Sequence, residues 1–248
     1  MEKQKEWFED WFDSPYYHIL YGHRDMQEAE FFLRNFVHQF NPPAQSTMID
    51  LACGKGRHSI FMNSLGFDVT GVDLSKHSIS LAKEFENESL KFEVSDLRSL
   101  SVEGPFDYAL NLFTSFAYFD NFETDEQVLL EIKKVLKPNG MLLIDFFNAQ
   151  KVLETLVLAE EKENEGVLFK LNRRFEDGKI VKSIEVNHNQ ENYYFEEKVQ
   201  ALRLQDFETL LAQTGFELLH TYGAYDFSPF DLNSSDRLIL IAQNIHVK

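Results

Sequence analysis

The sequence predicts an α/β fold, a doubly wound sheet of mainly parallel strands covered by helices, and three observations predict it. First, from Met48 onward short apolar runs alternate regularly with segments of helical spacing. Second, the run Met48-Ile49-Asp50-Leu51 passes through Gly54 and Gly56 into a helical pattern marked by Ile60, Phe61 and Leu65. Strand, glycine turn, helix is the order that brings bare backbone up to a ligand at the carboxyl end of a parallel strand. Third, the next two strands end in the acids Asp73 and Asp96, which with Asp50 sends three carboxylates to one edge of the sheet.

Residues 1–47 read as an N-terminal helical lid. Trp7, Phe8, Trp11 and Phe12 share an aromatic helical face, and Ser14-Pro15 breaks the segment. Residues 16–25 are dense in aromatics that can hydrogen-bond. A helix over 26–40 follows, with Ala29, Phe32, Leu33, Phe36 and Phe40 on one side, halted by Asn41-Pro42-Pro43. From there a second unit, residues 48–248, predicts strand 48–52, helix 57–65, strand 67–72, helix 75–86 and strand 90–94. A fourth strand at 108–112, a helix at 125–136 and a strand at 141–147 continue the alternation. Right-handed crossovers then place the ligand crevice where the strand order reverses, between the first and fourth strands. The aromatic loop after the fourth strand faces that crevice, Asn111 and Phe113 foremost.

Residues 160–204 interrupt the pattern as a small antiparallel β insert. Residues 160–165 read as a solvated acidic turn. Residues 168–175, 180–187 and 193–204 read as antiparallel strands, with Glu176-Asp177-Gly178 as a hairpin signal. A helix over 206–214, ended by Gly215, and strands at 216–222 and 237–243 complete the chain.

The turn chemistry narrows the ligand. The frame Gly54-x-Gly56-x-x-Ser59 lacks the third glycine of a dinucleotide fingerprint, and no G-x-x-x-x-G-K-[ST] phosphate loop exists. Asp50 beside the turn would repel a pyrophosphate and suit a ligand carrying positive charge. Asp73, about 20 residues beyond the turn, is placed to accept hydrogen bonds from ribose hydroxyls.

These residues resemble the class I S-adenosylmethionine-dependent methyltransferases of small-molecule type. Asp50-Leu51-Ala52-Cys53-Gly54-Lys55-Gly56 stands where that family's first turn reads D-x-G-x-G-x-G, with Ala52 in place of the first glycine. Asp73 matches the family's ribose-binding acid, Asp96 its adenine-contacting acid, and Lys137-Pro138-Asn139-Gly140 its post-strand turn. The match covers residues 45–147 and, more loosely, the C-terminal part. It implies a Rossmann-like seven-stranded sheet with the last strand antiparallel, and S-adenosylmethionine as cofactor. The implied cofactor site comprises Tyr21, Arg24, Asp50, Ala52, Cys53, Gly54, Gly56 and Arg57, together with His58, Asp73, Leu74, Ser75, Asp96, Leu97, Asn111 and Phe113. N-terminal segments in this family fold over the cofactor. Tyr17, Tyr21, His23 and Arg24 are therefore candidates for its methionine end or for the substrate, or else the tyrosines anchor the lid. The insert stands where the family places substrate-covering elements; a homodimer surface is the other reading. His18, His23, Tyr118 and Arg237 have the chemistry or the location of a general base, and nothing in the sequence ranks them.

Composition bounds the function. A chain of 248 residues with 44% hydrophobic residues can bury one full α/β core. There is no apolar run of transmembrane length and no signal-peptide pattern, which suggests a cytoplasmic protein. The single Cys53 excludes an internal disulfide and reads as a small buried residue. Forty-one acids against 24 bases, net charge −17, disfavour a nucleic-acid partner and favour a small-molecule acceptor. The histidines show no metal-ligand spacing, and no G-x-S-x-G elbow occurs. The alternatives are an RNA or protein methyltransferase, a nicotinamide-dependent oxidoreductase, and a module that binds an adenosyl ligand without transfer.

Overall fold

A computed structural model of the chain describes residues 6–22 and 26–245. The N-terminal segment forms α1 (Trp7–Phe12), α2 (Pro15–Tyr21) and α3 (Met26–Phe40). Ser14 separates the first two: its hydroxyl accepts the Tyr16 N–H, and Pro15 supplies the preset φ of a first helical turn. The alternating region follows as β1 (Thr47–Leu51), α4 (Arg57–Ser64), β2 (Asp68–Asp73), α5 (Lys76–Ala82), β3 (Leu90–Val94), β4 (Phe106–Asn111), α6 (Phe122–Val135) and β5 (Leu136–Phe147). After a short helix, α7 (Ala149–Glu154), come β6 (Ala159–Asn164), β7 (Val167–Glu176), β8 (Lys179–His188) and β9 (Glu191–Gln200). The helix α8 (Leu204–Thr214), β10 (Phe216–Tyr222) and β11 (Arg237–Asn244) end the described chain.

Seven strands form one sheet in the order β10-β11-β5-β4-β1-β2-β3, and β6 to β9 form a separate antiparallel sheet. β1 pairs in parallel with β2 on one side and β4 on the other, so the strand order does reverse there. β11 is antiparallel to both its neighbours, as expected for the last strand. The buried faces of the large sheet make two cores. Ile49, Leu142, Phe146 and Phe207 belong to the one beneath α6 and α8. Phe32, Phe36, Met48 and Phe92 belong to the one beneath α3, α4 and α5.

A third core lies outside the sheet and joins the lid to the insert. Trp11 and Leu20 pack on Val167, Phe169, Leu171, Ile184 and Val186. A large apolar side chain buried this fully contributes about 1.5–3 kcal/mol, so α1 and α2 are fastened to the small sheet by ordinary core packing. The segment 1–47 is thus divided: α3 covers the main sheet, and only α1 and α2 lie on the insert.

The acidic stretch 160–165 is not a turn. It is the edge strand β6, with Glu160 opposite Leu171 and Lys162 opposite Phe169. Its charges are those an edge strand uses to discourage further pairing, and Arg173 and Lys162 neutralise Glu160. Other boundaries moved too: α6 starts at Phe122 rather than 125, β9 ends at Gln200 rather than 204, and α8 starts at Leu204 rather than 206. β5 begins at Leu136, but Asn139 takes a φ of +65° and the pairing with β4 jumps from Leu136 to Met141, so Lys137-Pro138-Asn139-Gly140 is a bulged turn inside the strand's bounds; the helix expected over 75–86 ends at Ala82 in a 3-10 turn. No helix among the described residues is long and apolar enough to cross a membrane.

Candidate active site

The site begins where β1 ends. Ala52, Gly54 and Gly56 all take left-handed φ values, +57°, +57° and +81°. A Cβ on Gly56 would stand 2.5 Å from the Phe92 ring, so only glycine fits there. A Cβ on Gly54 would meet nothing, because that backbone borders open space. The turn is pinned from the tip of β2: the Asp73 carboxylate accepts the N–H of Gly54 at 2.8 Å with one oxygen and that of Ser75 at 2.8 Å with the other. Burial raises the Asp73 pKa, and these two bonds work against the shift. Each carboxylate oxygen keeps a lone pair beyond those bonds, enough to accept hydroxyls.

A cavity of about 350 Å³ opens over this turn. Ala52, Cys53, Gly54, Arg57, His58 and Asp73 form its floor, and Phe113 a wall. His58 is buried; its ring stacks on Phe113 with centroids 5.0 Å apart, and its Nε2 has no partner among the described residues. Burial, helped by the neighbouring Arg57 charge, holds its pKa well below the usual histidine value, so the ring is neutral. Phe113 and Thr114 take φ values of +55° and +61°, unusual for an aromatic and a β-branched residue. Asp145 on β5 holds them there: its carboxylate accepts the Phe113 N–H at 2.8 Å and its carbonyl the Thr114 N–H at 2.9 Å.

Beyond Phe113 lies a second cavity, of about 600 Å³. Its walls come from the lid (Trp7, Phe12, Tyr17, Tyr21), the insert (Arg173, Ile180, Lys182, Glu197, Val199) and the sheet edge (Phe147, Tyr225, Arg237). Phe12, Tyr17, Tyr21, Phe113 and Tyr118 line both cavities, which are therefore contiguous. Glu197 locks the lid down over them. Its carboxylate accepts the Trp11 indole N–H at 2.7 Å, the Tyr21 hydroxyl at 2.7 Å and the Lys182 ammonium at 2.9 Å. Burial acts to raise the Glu197 pKa, but the Lys182 charge and these hydrogen bonds prevail and hold it below the usual value. A second clasp joins the lid to the tip of β3, where Arg98 binds Glu6 with Nη1 at 2.9 Å and Asp96 with Nε at 3.0 Å.

A family model described as a methyltransferase domain matches residues 43–200. The chain belongs to the class I S-adenosylmethionine-dependent methyltransferases. A putative methyltransferase of Bacillus subtilis, YqeM, is 28% identical over 212 residues, spanning 81% of this chain and 85% of that protein. A glycine/sarcosine N-methyltransferase of Parasynechococcus marenigrum is 32% identical over 158 residues, 61% of this chain and 54% of that protein. Among solved structures, an S-adenosylmethionine-dependent methyltransferase from Clostridium acetobutylicum superposes with a TM-score of 0.79 at 18% identity, over 93% of this chain and 96% of that one, a likeness of fold. S-adenosylmethionine is the cofactor, and the residues around the smaller cavity fit it: a left-handed backbone cradle, a carboxylate with spare lone pairs and an unpartnered buried imidazole nitrogen.

Of the sixteen cofactor residues expected in this methyltransferase, the smaller cavity gathers Tyr21, Ala52, Cys53, Gly54, Arg57, His58, Asp73 and Phe113. Gly56, Leu74, Ser75, Leu97 and Asn111 are not among its lining residues; Ser75 caps α5 and contacts Asp13, and Asn111 is buried against the Ser115 carbonyl. Arg24, like His23, falls outside the described residues. Asp50 does not present a charge to the cavity. It is enclosed between β2 and β4, accepts the Ser59 hydroxyl at 2.6 Å, and burial pushes its pKa up to about 7. Asp96 is also off the cavity lining, turned to Arg98. Arg237 is no candidate base, since its guanidinium pairs with Asp145 at 2.7 Å. His18 does line the smaller cavity; burial, with the Lys55 and His77 charges, lowers its pKa to about 4. Sequence reasoning placed Thr114 in the loop facing the crevice but passed over Asp145, Lys182, Glu197 and Tyr225, whose places depend on contacts between distant segments. Only the polar break in the apolar run of β5 could have pointed to Asp145.

Proposed function

We propose that this methyltransferase moves the methyl group of S-adenosylmethionine, held over the glycine turn, to a nitrogen, oxygen or carbon nucleophile of a small molecule in the larger cavity. The observation that carries this reading is the pair of contiguous cavities roofed by α1, α2 and the insert. A concave space of about 600 Å³ walled by lid, insert and sheet edge suits a small molecule. The acidic balance of the chain points the same way. So does the relative that its name describes as acting on glycine and sarcosine. The small sheet acts as a cover, because Ile180, Lys182 and Glu197 on its inner face wall the larger cavity.

When bound, the cofactor supplies an electrophilic sulfonium methyl group. The chain's own part is to bind, orient and keep water out. Asp73 fixes the Gly54 N–H and offers its remaining lone pairs to ribose hydroxyls. His58, neutral and aimed through Nε2 at no protein group described, hydrogen-bonds the polar end of the cofactor. Asp50 acts indirectly by holding Ser59 at the start of α4, and Asp96 by holding Arg98 and, through it, the lid residue Glu6. Phe113 and Tyr118, shared by both cavities, align the acceptor with the transferred group. Such orientation can contribute about 7–11 kcal/mol in favourable cases.

The test is to incubate the enzyme with methyl-labelled S-adenosylmethionine and a cell extract, then separate the products by size. Label in the low-mass fraction, matched by S-adenosylhomocysteine, is expected. Label confined to RNA or protein would refute the small-molecule reading, and binding without any product would leave a ligand-holding module.

A further inference from the structure

We propose that Arg237 and Thr114 form a cradle for a carboxylate, and hence that the acceptor is a carboxylate-bearing small molecule. This rests on the larger cavity being the acceptor site. Arg237 opens β11, opposite Phe147 at the end of β5. Its Nε and Nη2 both reach Asp145 Oδ1 at 2.7 Å, and Nη2 also donates to the Thr114 hydroxyl at 3.0 Å. That leaves the two N–H groups of Nη1 with no acceptor among the described residues, and the Thr114 O–H with nothing to donate to. Both side chains line the cavity.

The cradle is rigid before anything enters it. Asp145 is fully buried, and it orients the guanidinium with one oxygen while its other oxygen and its carbonyl hold Phe113 and Thr114 in their left-handed conformation. Backbone strain of this kind collects at ligand clamps. Tyr225 completes the support by donating to Asp145 at 3.3 Å. Only a fifth of the Arg237 side chain is exposed, so its free donors are largely desolvated and an anion meeting them gains more than it would in water. A planar carboxylate can take one N–H from Nη1 and the hydroxyl hydrogen of Thr114. Glu28 also lines the cavity, its charge already acting on Arg237, and it disfavours a doubly charged oxyanion such as a phosphate monoester more than a singly charged carboxylate.

Benzoate, benzamide and phenyl phosphate, titrated by ligand-observed NMR against the whole enzyme with and without S-adenosylhomocysteine, test this. Benzoate is expected to bind, with the other two weaker by about tenfold, the worth of a charge-assisted hydrogen bond. Arg237→Gln and Thr114→Val should each weaken benzoate by about tenfold and leave S-adenosylhomocysteine binding unchanged. Thr114→Val keeps the Arg237–Asp145 pair, so it reports on the cradle even if Arg237→Gln disturbs the fold. Absence of benzoate binding, equal binding of benzamide, tighter binding of phenyl phosphate, or indifference to Thr114→Val would overturn the proposal. Failure of the wild-type enzyme to bind S-adenosylhomocysteine would strike the cofactor site instead, and the titration without it would still judge the cradle.

Discussion

Replacing Glu197 by Gln should loosen the lid without emptying either cavity. The carboxylate receives two hydrogen bonds from the lid, from Trp11 and Tyr21, and one from Lys182 on the adjacent strand. Hydrogen bonds to a charged acceptor are worth about 1.5–3 kcal/mol and those to a neutral one about 0.5–1.5. Removing the charge from two lid bonds therefore costs about 2–3 kcal/mol, or about 30- to 150-fold in the equilibrium between seated and released lid. The apolar contacts of Trp11 and Leu20 with the insert persist, so the helices should open more often rather than detach. Hydrogen exchange followed by mass spectrometry reads this directly: amides of residues 7–21 should exchange about 30-fold faster or more, while those of β1 and β4 stay protected to the global limit. The KM for the acceptor should rise more than that for the cofactor. Unchanged exchange over residues 7–21 in a variant of measurably altered charge would show that the lid is held by packing alone.

Three further outcomes follow from single sites. Gly56→Ala forces a side chain into a left-handed position and against the Phe92 ring, so urea unfolding should show a loss of about 2–4 kcal/mol; a loss below the error of the fit would discredit the turn geometry. Asp125 is buried beneath the insert, its Oδ2 accepting the Gln200 amide at 2.6 Å, and burial raises its pKa to about 7 despite that bond and the Lys179 charge. A raised carboxyl contributes stability that is complete below its unfolded value near pH 4 and is lost as pH rises through about 7. The wild-type Tm should therefore fall between about pH 4 and about pH 7 more steeply than that of Asp125→Asn, and parallel curves would refute the burial argument. Burial, reinforced by Asp50 and Asp73, pushes the Cys53 thiol up, so iodoacetamide should label it only after unfolding. Labelling of the native enzyme would place that side chain elsewhere.

What the sequence disclosed was whatever depends on neighbours along the chain. β1 to β4 were legible because buried parallel strands read as apolar runs, and the reversal beside β1 followed from crossover handedness. The glycine turn and Asp73 were legible because backbone conformation and strand tips dictate them locally. β6 was not, since an edge strand paired on one side carries the charge of a loop; its alternation of Glu160, Lys162 and Asn164 with more exposed residues emerges only against β7. Asp50 was misjudged because proximity to a ligand turn does not say which way a carboxyl points, and Ser59, nine residues on, claims it. Asp96 looked like a free acid until Arg98 and Glu6 were seen around it. Glu197 and Asp145 were invisible for a plainer reason: what makes each matter is a partner more than thirty residues away, Trp11 and Tyr21 in one case, Phe113 and Arg237 in the other.

The grip of Asp73 on the glycine turn underlies the whole functional reading, and titration calorimetry with S-adenosylhomocysteine tests it most directly. The wild-type chain should bind saturably. Asp73→Ala, which removes the two bonds that hold the turn and the carboxylate offered to two ribose hydroxyls, should bind about 100-fold more weakly or not at all while still unfolding cooperatively, two hydrogen bonds to a charged acceptor being worth about 3 kcal/mol or more. Saturable binding of equal strength by a folded Asp73→Ala variant, or none by the wild type, would put the cofactor somewhere other than over this turn.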